Sequence, residues 1–423
     1  MLEYIDLKYK PTGKDLVTEY YMEPNGISFE KACNHVAGES SIGTWTKVST
    51  MNPTIAKKLR PSVFSINKKS GEIKIAYPEE LFEEGNMPEI WSSIAGNIFG
   101  MRAVKNLRLQ DIHFTKNLIK SFPGPRFGIE GIRKLLKVRY RPLVGTIVKP
   151  KVGLDEKQHA KVAYDAWVGG LDVVKDDENL SSMKFNKFDK RIKETLKLRD
   201  KAEKETGEKK VYMANITAES LEMLRRAEYI KQLGGEYVMV DILTCGWSGL
   251  QTVRNNCPQV IHAHRAMHAA LTRNPKHGIS MMTIAKSARL IGVDQLHIGT
   301  AHVGKMEGSA GEAADIEAKI EEHVSKASPV FHSLNQGWFD IKPVFAVASG
   351  GLHPGMIPAL LDRMGTDIVA QFGGGCHGHP DGTVAGAKAI RQALDAAMQK
   401  IPLKEYAKTH KELRIALDKF GVV

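Results

Sequence analysis

The stretch "GGLDVVKDDENL", residues 169–180, places Lys175 directly before Asp176, Asp177 and Glu178. Val173 and Val174 read as strand, so Lys175 is expected at the end of a buried β-segment, where a lysine is costly unless paired. Side chains on a strand alternate faces. Lys175 and Asp177 therefore share one face, with Glu178 just past the end, and Asp176 faces the other way, as a salt-bridge partner or cap would. Lys149 and Lys151 in "GTIVKPK" share a face if the strand persists through Pro150. Two carboxylates among lysines suit a hard cation such as Mg2+, which prefers oxygen ligands. An ammonium at Lys175 would repel that cation, whereas a carbamate formed from its amine and CO2 would supply a third anionic ligand. The amine must be neutral to react. Neighbouring acids raise its pKa, while burial, Lys149 and Lys151 lower it. From the residues alone a structural Lys–Asp pair and a carbamate both remain open.

Further along, "Ser349-Gly350-Gly351" and "Gly373-Gly374-Gly375" end two apolar runs. Glycines there let backbone N–H groups approach an anion. Arg265 and His297 are candidates for a second anion site, and the two together favour a substrate with two phosphates. His262 and His264 also share a strand face. A zinc pair would need further ligands that are not evident, so one of the two reads as a hydrogen-bonded core histidine.

These residues sit at the ends of a repeated theme. From about residue 135, eight apolar runs alternate with helical patterns: "PLVGTIVKP", "LDVVKDD", "KVYMANIT", "YVMVDIL", "QVIHAHRA", "QLHIGT", "VFAVASGG" and "IVAQFGGG". Continuous apolar, β-branched runs suit strands buried on both faces. Eight βα units predict an α/β fold with a TIM (β/α)8 barrel, whose chemistry gathers at the carboxyl ends of the strands. A doubly wound open sheet is the alternative, but no GxGxxG opens the first unit. Residues 1–130 read as a smaller N-terminal α+β domain, with two strands in "SVFSINKKSGEIKIAYP" and a helix in "PEIWSSIAGNIFGM". Residues 131–423 read as the barrel domain, helical after residue 384 and closing over the barrel.

Sixty basic against 48 acidic side chains give a net charge of +12. Nucleic acid, an acidic surface or phosphorylated metabolites would each suit that charge. The charges are interleaved, however, and "KFNKFDKRIKETLKLRDKAEKETGEKK" reads as a solvated helix face. A nucleic-acid-binding protein would leave the strand-end groups unexplained. No run of about 18 apolar residues suggests a membrane span. Scattered Cys33, Cys245, Cys257 and Cys376, without CxxC spacing, suit a reducing cytoplasm.

In this order the strand ends resemble the large subunit of ribulose-1,5-bisphosphate carboxylase/oxygenase (RuBisCO), of the archaeal form III type. The resemblance runs from "GESSIGTWTKV" and "GNIFGMRAVKNLRLQD" through "GGLDVVKDDEN" and "IHAHRAMH" to "QFGGGCHGHPDGT". It implies a carboxylase that adds CO2 to the enediolate of ribulose 1,5-bisphosphate to give two 3-phosphoglycerates, with O2 consumed in a side reaction. It implies Mg2+ held by Asp177, Glu178 and a CO2-carbamylated Lys175, with Lys149, Lys175, His264 and Lys305 catalytic. Lys151 supports the site electrostatically. Arg265, His297 and Ser349 hold one phosphate end and nearby hydroxyls; Gly351, Gly373, Gly374, Thr44 and Trp45 hold the other. Glu39, Thr44, Trp45 and Asn97 are expected to reach a neighbouring subunit's barrel, so the resemblance implies a homodimer at minimum, and leaves open a further assembly of dimers. It implies no small subunit, nucleic-acid or membrane partner, and service in nucleoside-monophosphate salvage. A RuBisCO-like enolase or isomerase is the alternative; Lys305, His297, His264, Glu39 and Asn97, all present, argue against it. Two places depart from the plant pattern. Ile147 stands where plants have a threonine, with Thr146 one position earlier, and the span from His297 to Lys305 is one residue longer, as in bacterial form II.

Overall fold

The computed structural model describes residues 3–44, 48–305 and 310–423. Four strands come first: β1 (Asp15–Pro24), β2 (Ser62–Asn67), β3 (Glu72–Pro78) and β4 (Val104–His113). Then follow β5 (Leu143–Ile147), β6 (Val173–Lys175), β7 (Val211–Asn215), β8 (Tyr237–Asp241) and β9 (Val260–His264). The remainder are β10 (Gly278–Ile279), β11 (Gln295–His297), β12 (Val324–Ser325), β13 (Gln336–Gly337), β14 (Phe345–Ser349) and β15 (Ile368–Gln371). No helix among the described residues is long and apolar enough to cross a membrane.

The chain forms two compact units. One comprises Met1–Gly124, Met267–Ile291 and Glu322–Ile341; the other comprises Pro125–Ala266, Gly292–Glu321 and Lys342–Val423. In the first unit a five-stranded sheet runs β10-β4-β1-β3-β2. β2 and β3 form the antiparallel pair expected from "SVFSINKKSGEIKIAYP". The expected helix in "PEIWSSIAGNIFGM" is real over Met87–Ile94, capped by Asn86, and stops at Ala95; a 3-10 turn, Asn97–Gly100, follows Gly96. β10 joins the sheet parallel to β4. Behind it the helix Met281–Ile291 is buried along its whole length, Lys286 and Arg289 included. Buried cations are retained only with partners. Lys286 Nζ lies 2.9 Å from Asp111 Oδ1 and donates to the Ile112 carbonyl, while Leu334 N donates to Asp111 Oδ2 at 2.6 Å. One carboxylate thus ties together three chain segments distant in sequence.

In the second unit all eight strands read from the sequence close into a parallel barrel in the order β11-β14-β15-β5-β6-β7-β8-β9. Its amino-terminal half is filled by an apolar cluster that includes Leu143, Val173, Val211, Tyr237, Val260 and Phe345, the first residues of six strands. Ile132 and Leu136, from the helix Gly128–Leu136, complete that cluster. The helix Glu156–Val168 begins at a capping box formed by Asp155 and Gln158. The helix Gly382–Met398 is followed by Leu403–Tyr406 and Lys411–Phe420, in keeping with the helical pattern read after residue 384. It packs beside Glu156–Val168 in the outer ring, close enough that a Cβ on Gly169 would meet Ala387 Cβ at 2.4 Å.

Asp111→Ala should leave the Lys286 ammonium buried without its counter-charge, at a cost of about 3–5 kcal/mol. A thermal melt in which this variant unfolds with the wild type would show that the pair is not what holds the three segments.

Candidate active site at the carboxyl end of the barrel

β6 is the centre of the site. Register sets Lys175, its last residue, opposite Ile147 of β5 and Met213 of β7. Only 1% exposed, its Nζ donates to the Asp176 carbonyl at 2.9 Å and lies 3.5 Å from Met239 Sδ and 3.7 Å from Glu178 Oε2. Burial depresses its pKa. Glu178, Asp177 and Asp241 oppose that shift without cancelling it, and Lys149 reinforces it. The opposing influences that the sequence left open thus sum to a lowered pKa.

β5 ends at Ile147, before Lys149, and the Lys149–Pro150 peptide is cis. Both lysines nevertheless reach the β6 acids. Lys149 Nζ donates to Asp177 Oδ2 at 2.8 Å, and Lys151 Nζ lies 3.3 Å from Glu178 Oε1 and 4.0 Å from Asp177 Oδ1. Glu178 also faces His264 Nε2 at 3.7 Å. Burial disfavours its charge, but Lys175, His264 and Lys151 outweigh burial and bring its pKa to about 2. Lys149, Lys151, Lys175, Asp177, Glu178 and His264 thus converge on one mouth. Two carboxylates with a buried amine between them form a donor set that fits a hard divalent cation once that amine carries an acidic group.

Asp176 points out of the barrel, as strand parity required. Its carboxylate receives Arg191 at 3.2 Å, His159 at 3.0 Å, the Tyr212 hydroxyl, and Asn215 N at 2.9 Å. Burial works against its charge, yet Arg191, His159 and Tyr212 hold its pKa below the usual carboxylate range. Arg191 comes from the charge-rich stretch read as a solvated face. That helix, Phe188–Thr206, buries Arg191 together with Phe188, Ile192 and Leu196.

Arg265, His297 and Ser349 follow β9, end β11 and end β14. Arg265 is buried, which brings its pKa down to about 10 despite Glu312. His297 Nδ1 lies 2.8 Å from Ser349 Oγ. Gly350 and Gly351 have φ of +116° and +77°, where a side chain is strained. Lys305 N donates to the Gly350 carbonyl at 2.9 Å, and a Cβ on Gly351 would sit 2.7 Å from Lys305 Cγ. Gly373 borders Lys149, whose Cε would be 3.3 Å from a Cβ there, and Gly374 has open space. Each glycine turn therefore has a lysine beside it. In the first unit Asn97 Nδ2 donates to Glu39 Oε1 at 3.3 Å, and Thr44 is exposed; Trp45 lies outside the described residues. Thr146 does not stand in for the plant threonine. Its hydroxyl donates to the Phe372 carbonyl at 2.5 Å and lies 2.8 Å from His377 Nε2, while Ile147 takes the inward parity of Lys175.

Two site residues escaped the sequence reading. Asp241 ends β8 directly across from His264, and its Oδ1 lies 2.9 Å from His264 Nδ1. Asn215 ends β7, and its Nδ2 donates to the Glu178 and Leu180 carbonyls at 3.2 Å, fixing the turn that carries the acids. The rule that exposed the other six strand ends applied equally to "YMAN" and "VMVD".

Fold and site together define a class: a (β/α)8 barrel whose strand ends gather lysines, carboxylates and glycine turns, where enzymes of this fold carry their chemistry. The chain belongs to the ribulose bisphosphate carboxylase large-chain family, a family of carboxy-lyases. Family models match its "Ribulose bisphosphate carboxylase large chain, N-terminal domain" over residues 3–118 and the corresponding catalytic domain over residues 128–420. It is 54% identical to the ribulose bisphosphate carboxylase of Methanosarcina mazei, over 99% of both chains. Among solved structures it is similar to a dimeric archaeal Rubisco from Hyperthermus butylicus, with a TM-score of 0.94 and 45% identity, covering 100% of this chain and 99% of that one. It is also similar to an octameric enzyme from Pyrococcus horikoshii, with a TM-score of 0.91 and 47% identity, covering 99% and 96%.

The two glycines after Gly373 should respond differently to substitution. A Cβ on Gly375 would lie 2.2 Å from the Leu352 carbonyl oxygen, whereas one on Gly374 meets nothing within 4 Å. Gly375→Ala should lower the melting temperature by several degrees. Gly374→Ala should melt with the wild type and weaken inorganic phosphate binding, measured by calorimetry; a reversed order of melting temperatures would refute this packing.

Proposed function

We propose that the chain is a Mg2+-dependent ribulose-1,5-bisphosphate carboxylase activated by CO2 at Lys175. The observation that carries this reading is the buried, pKa-depressed Lys175 amine set against Asp177 and Glu178. In activation Nζ attacks CO2, forming an N–C bond and releasing one proton, so the side chain passes from amine to carbamate. Lys175, Asp177 and Glu178 then hold Mg2+, which supplies electrophilic polarisation of the sugar's carbonyl and hydroxyl oxygens.

Lys175, carboxylated on Nζ, accepts the C3 proton of ribulose 1,5-bisphosphate. Lys149 Nζ handles protons beside the reacting carbons during enolisation and final protonation, and Lys151 steadies the anionic groups. His264, oriented by Asp241, assists proton transfer through Nε2. Arg265, His297 and Ser349 grip one phosphate end and nearby hydroxyls, and Gly351, Gly373 and Gly374 present backbone to the other. Lys305 stabilises the carboxylate formed when CO2 adds to C2 of the enediolate; water then adds to the C3 carbonyl, the C2–C3 bond breaks, and protonation of C2 gives two 3-phosphoglycerates. O2 competes at the same enediolate. Glu39, Thr44, Trp45 and Asn97 complete the site of a neighbouring subunit, so the functional unit is at least a homodimer, in keeping with the dimeric and octameric names of the similar structures. Its place is in nucleoside-monophosphate salvage, as the resemblance to the archaeal form III type implies.

Incubation with CO2 and Mg2+, then ribulose bisphosphate and labelled bicarbonate under anaerobic conditions, should place acid-stable label in phosphoglycerate. Absence of label across temperature would sink the carboxylase reading. Lys175→Ala should abolish turnover. Because only the neutral amine reacts and its pKa is lowered, activation by CO2 should rise with pH, with a midpoint below that of an ordinary lysine. A midpoint at the ordinary value of about 10.4 would count against the carbamate role.

A further inference from the structure

Three side chains with metal-ligating atoms meet in the first unit, outside the barrel. β1 pairs with β3 so that Glu19 stands directly opposite Lys74, and Glu72, two residues before Lys74, shares its face of the sheet. His332 comes from the distant segment Glu322–Ile341, which belongs to the same unit. Its Nδ1 lies 2.9 Å from Glu72 Oε1 and 3.4 Å from Glu19 Oε1. One ligand atom from each of the three residues lies within 4.8 Å of the other two.

Each carboxylate is held by its other oxygen. Lys74 Nζ lies 3.0 Å from Glu19 Oε2, and Ser70 Oγ donates to Glu72 Oε2 at 2.8 Å. Oε1 of each is the atom turned to the imidazole. Ser328 and Ser333 exchange backbone hydrogen bonds of 2.8 and 3.0 Å, which close the short loop that presents His332. Glu19 is buried, and Glu72 and His332 are part-exposed, so water can reach the group. An Nδ1 proton can point at only one of the two oxygens, whereas a divalent cation would serve both. Tetrahedral ligands at about 2.0–2.2 Å from an ion stand roughly 3.3–3.6 Å apart. The 3.4 Å separation from Glu19 already matches, and the 2.9 Å pair has only to open slightly. A separate observation concerns Ser333, the next residue. It is 3% exposed, and its Oγ has no hydrogen-bond partner among the described residues. A buried hydroxyl left in that state points to a water or ion still to be received.

We propose that Glu19, Glu72 and His332 form a site for a divalent cation of the Zn2+ class, bound through Glu19 Oε1, Glu72 Oε1 and His332 Nδ1, with water completing its shell. The imidazole nitrogen selects this class over Mg2+ and Ca2+, which prefer oxygen alone, and so sets the site apart from the β6 acids. Binding uses the Nδ1 lone pair, and a proton carried there leaves to solvent. The ion joins β1 and β3 to the segment Glu322–Ile341, two residues before Leu334 N donates to Asp111. Its role is to fasten that segment to the sheet.

Zn2+ alone is the probe, added to the full chain after a chelator has cleared it of metal. Calorimetry should find a Zn2+ equivalent per chain that His332→Ala and Glu72→Gln each remove and that Glu178→Gln leaves in place. Binding that survives His332→Ala but disappears in Glu178→Gln belongs to the barrel mouth and overturns the proposal. An ion that binds only the folded chain stabilises it, so Zn2+ should raise the melting temperature of the wild type and not that of His332→Ala. An equal rise in both overturns the proposal. Should the variants fail to fold, the wild type decides alone. Crystals soaked in Zn2+ should show an anomalous peak at the zinc edge between Glu19 Oε1, Glu72 Oε1 and His332 Nδ1. No peak there at saturating Zn2+ overturns the proposal, and leaves the carboxylase reading untouched.

Discussion

Keeping a lysine ammonium inside a closed barrel costs several kcal/mol of lost hydration unless opposite charges repay it. At Lys175 the repayment is incomplete. Glu178 stands 3.7 Å away, Asp177 is already engaged with Lys149, and the one short bond from Nζ goes to a backbone carbonyl. Burial therefore pulls the amine's pKa down, while burial of Glu178 is outweighed by Lys175, His264 and Lys151, which lower its pKa. A carbamate would remove the imbalance by converting the uncompensated cation into an anion that Lys149, Lys151 and a bound metal can neutralise. The chemistry proposed for the mouth starts from that one incompletely paired charge.

Holding such a group in place demands rigidity on the opposite side of the strand. Asp176 supplies it through Arg191, His159, Tyr212 and Asn215 N, a network buried on all sides. Asn215 extends the anchor to the Glu178 carbonyl. Alternate residues of a three-residue strand thus separate two tasks: Lys175 faces inward to the reacting groups, and the next residue fastens the turn from outside. The apolar cluster at the amino-terminal half supports both by filling the lumen beneath them.

Similar physics recurs in the first unit. Asp111 receives Lys286 together with the Leu334 and Ile112 backbone amides. A single buried carboxylate there recruits segments that lie between barrel strands in the sequence. The polar groups are paired, so the segments are held in a unit whose own sheet, with β10 only two residues long, offers them little pairing.

Much of the barrel was legible in the chain itself. Strands buried on both faces need continuous apolar runs, and period-two alternation assigned Lys175 and Asp177 inward and Asp176 outward without coordinates. The strand-end rule failed only where it was not applied, at Asn215 and Asp241. Other features had no local signature. Arg191 looked like any cation of a charged helix, because its burial depends on which turn meets β6. The Asp241–His264 contact depends on the register between β8 and β9. β10 and the helix Met281–Ile291 belong with the first unit because of β4 and Asp111, not because of their own residues. The sequence by itself determined the order of strands, the parity of their side chains and the chemical types at their ends. The tertiary structure alone decided the balance of charge and burial at Lys175, since desolvation and Coulomb energy depend on distances that no linear pattern records.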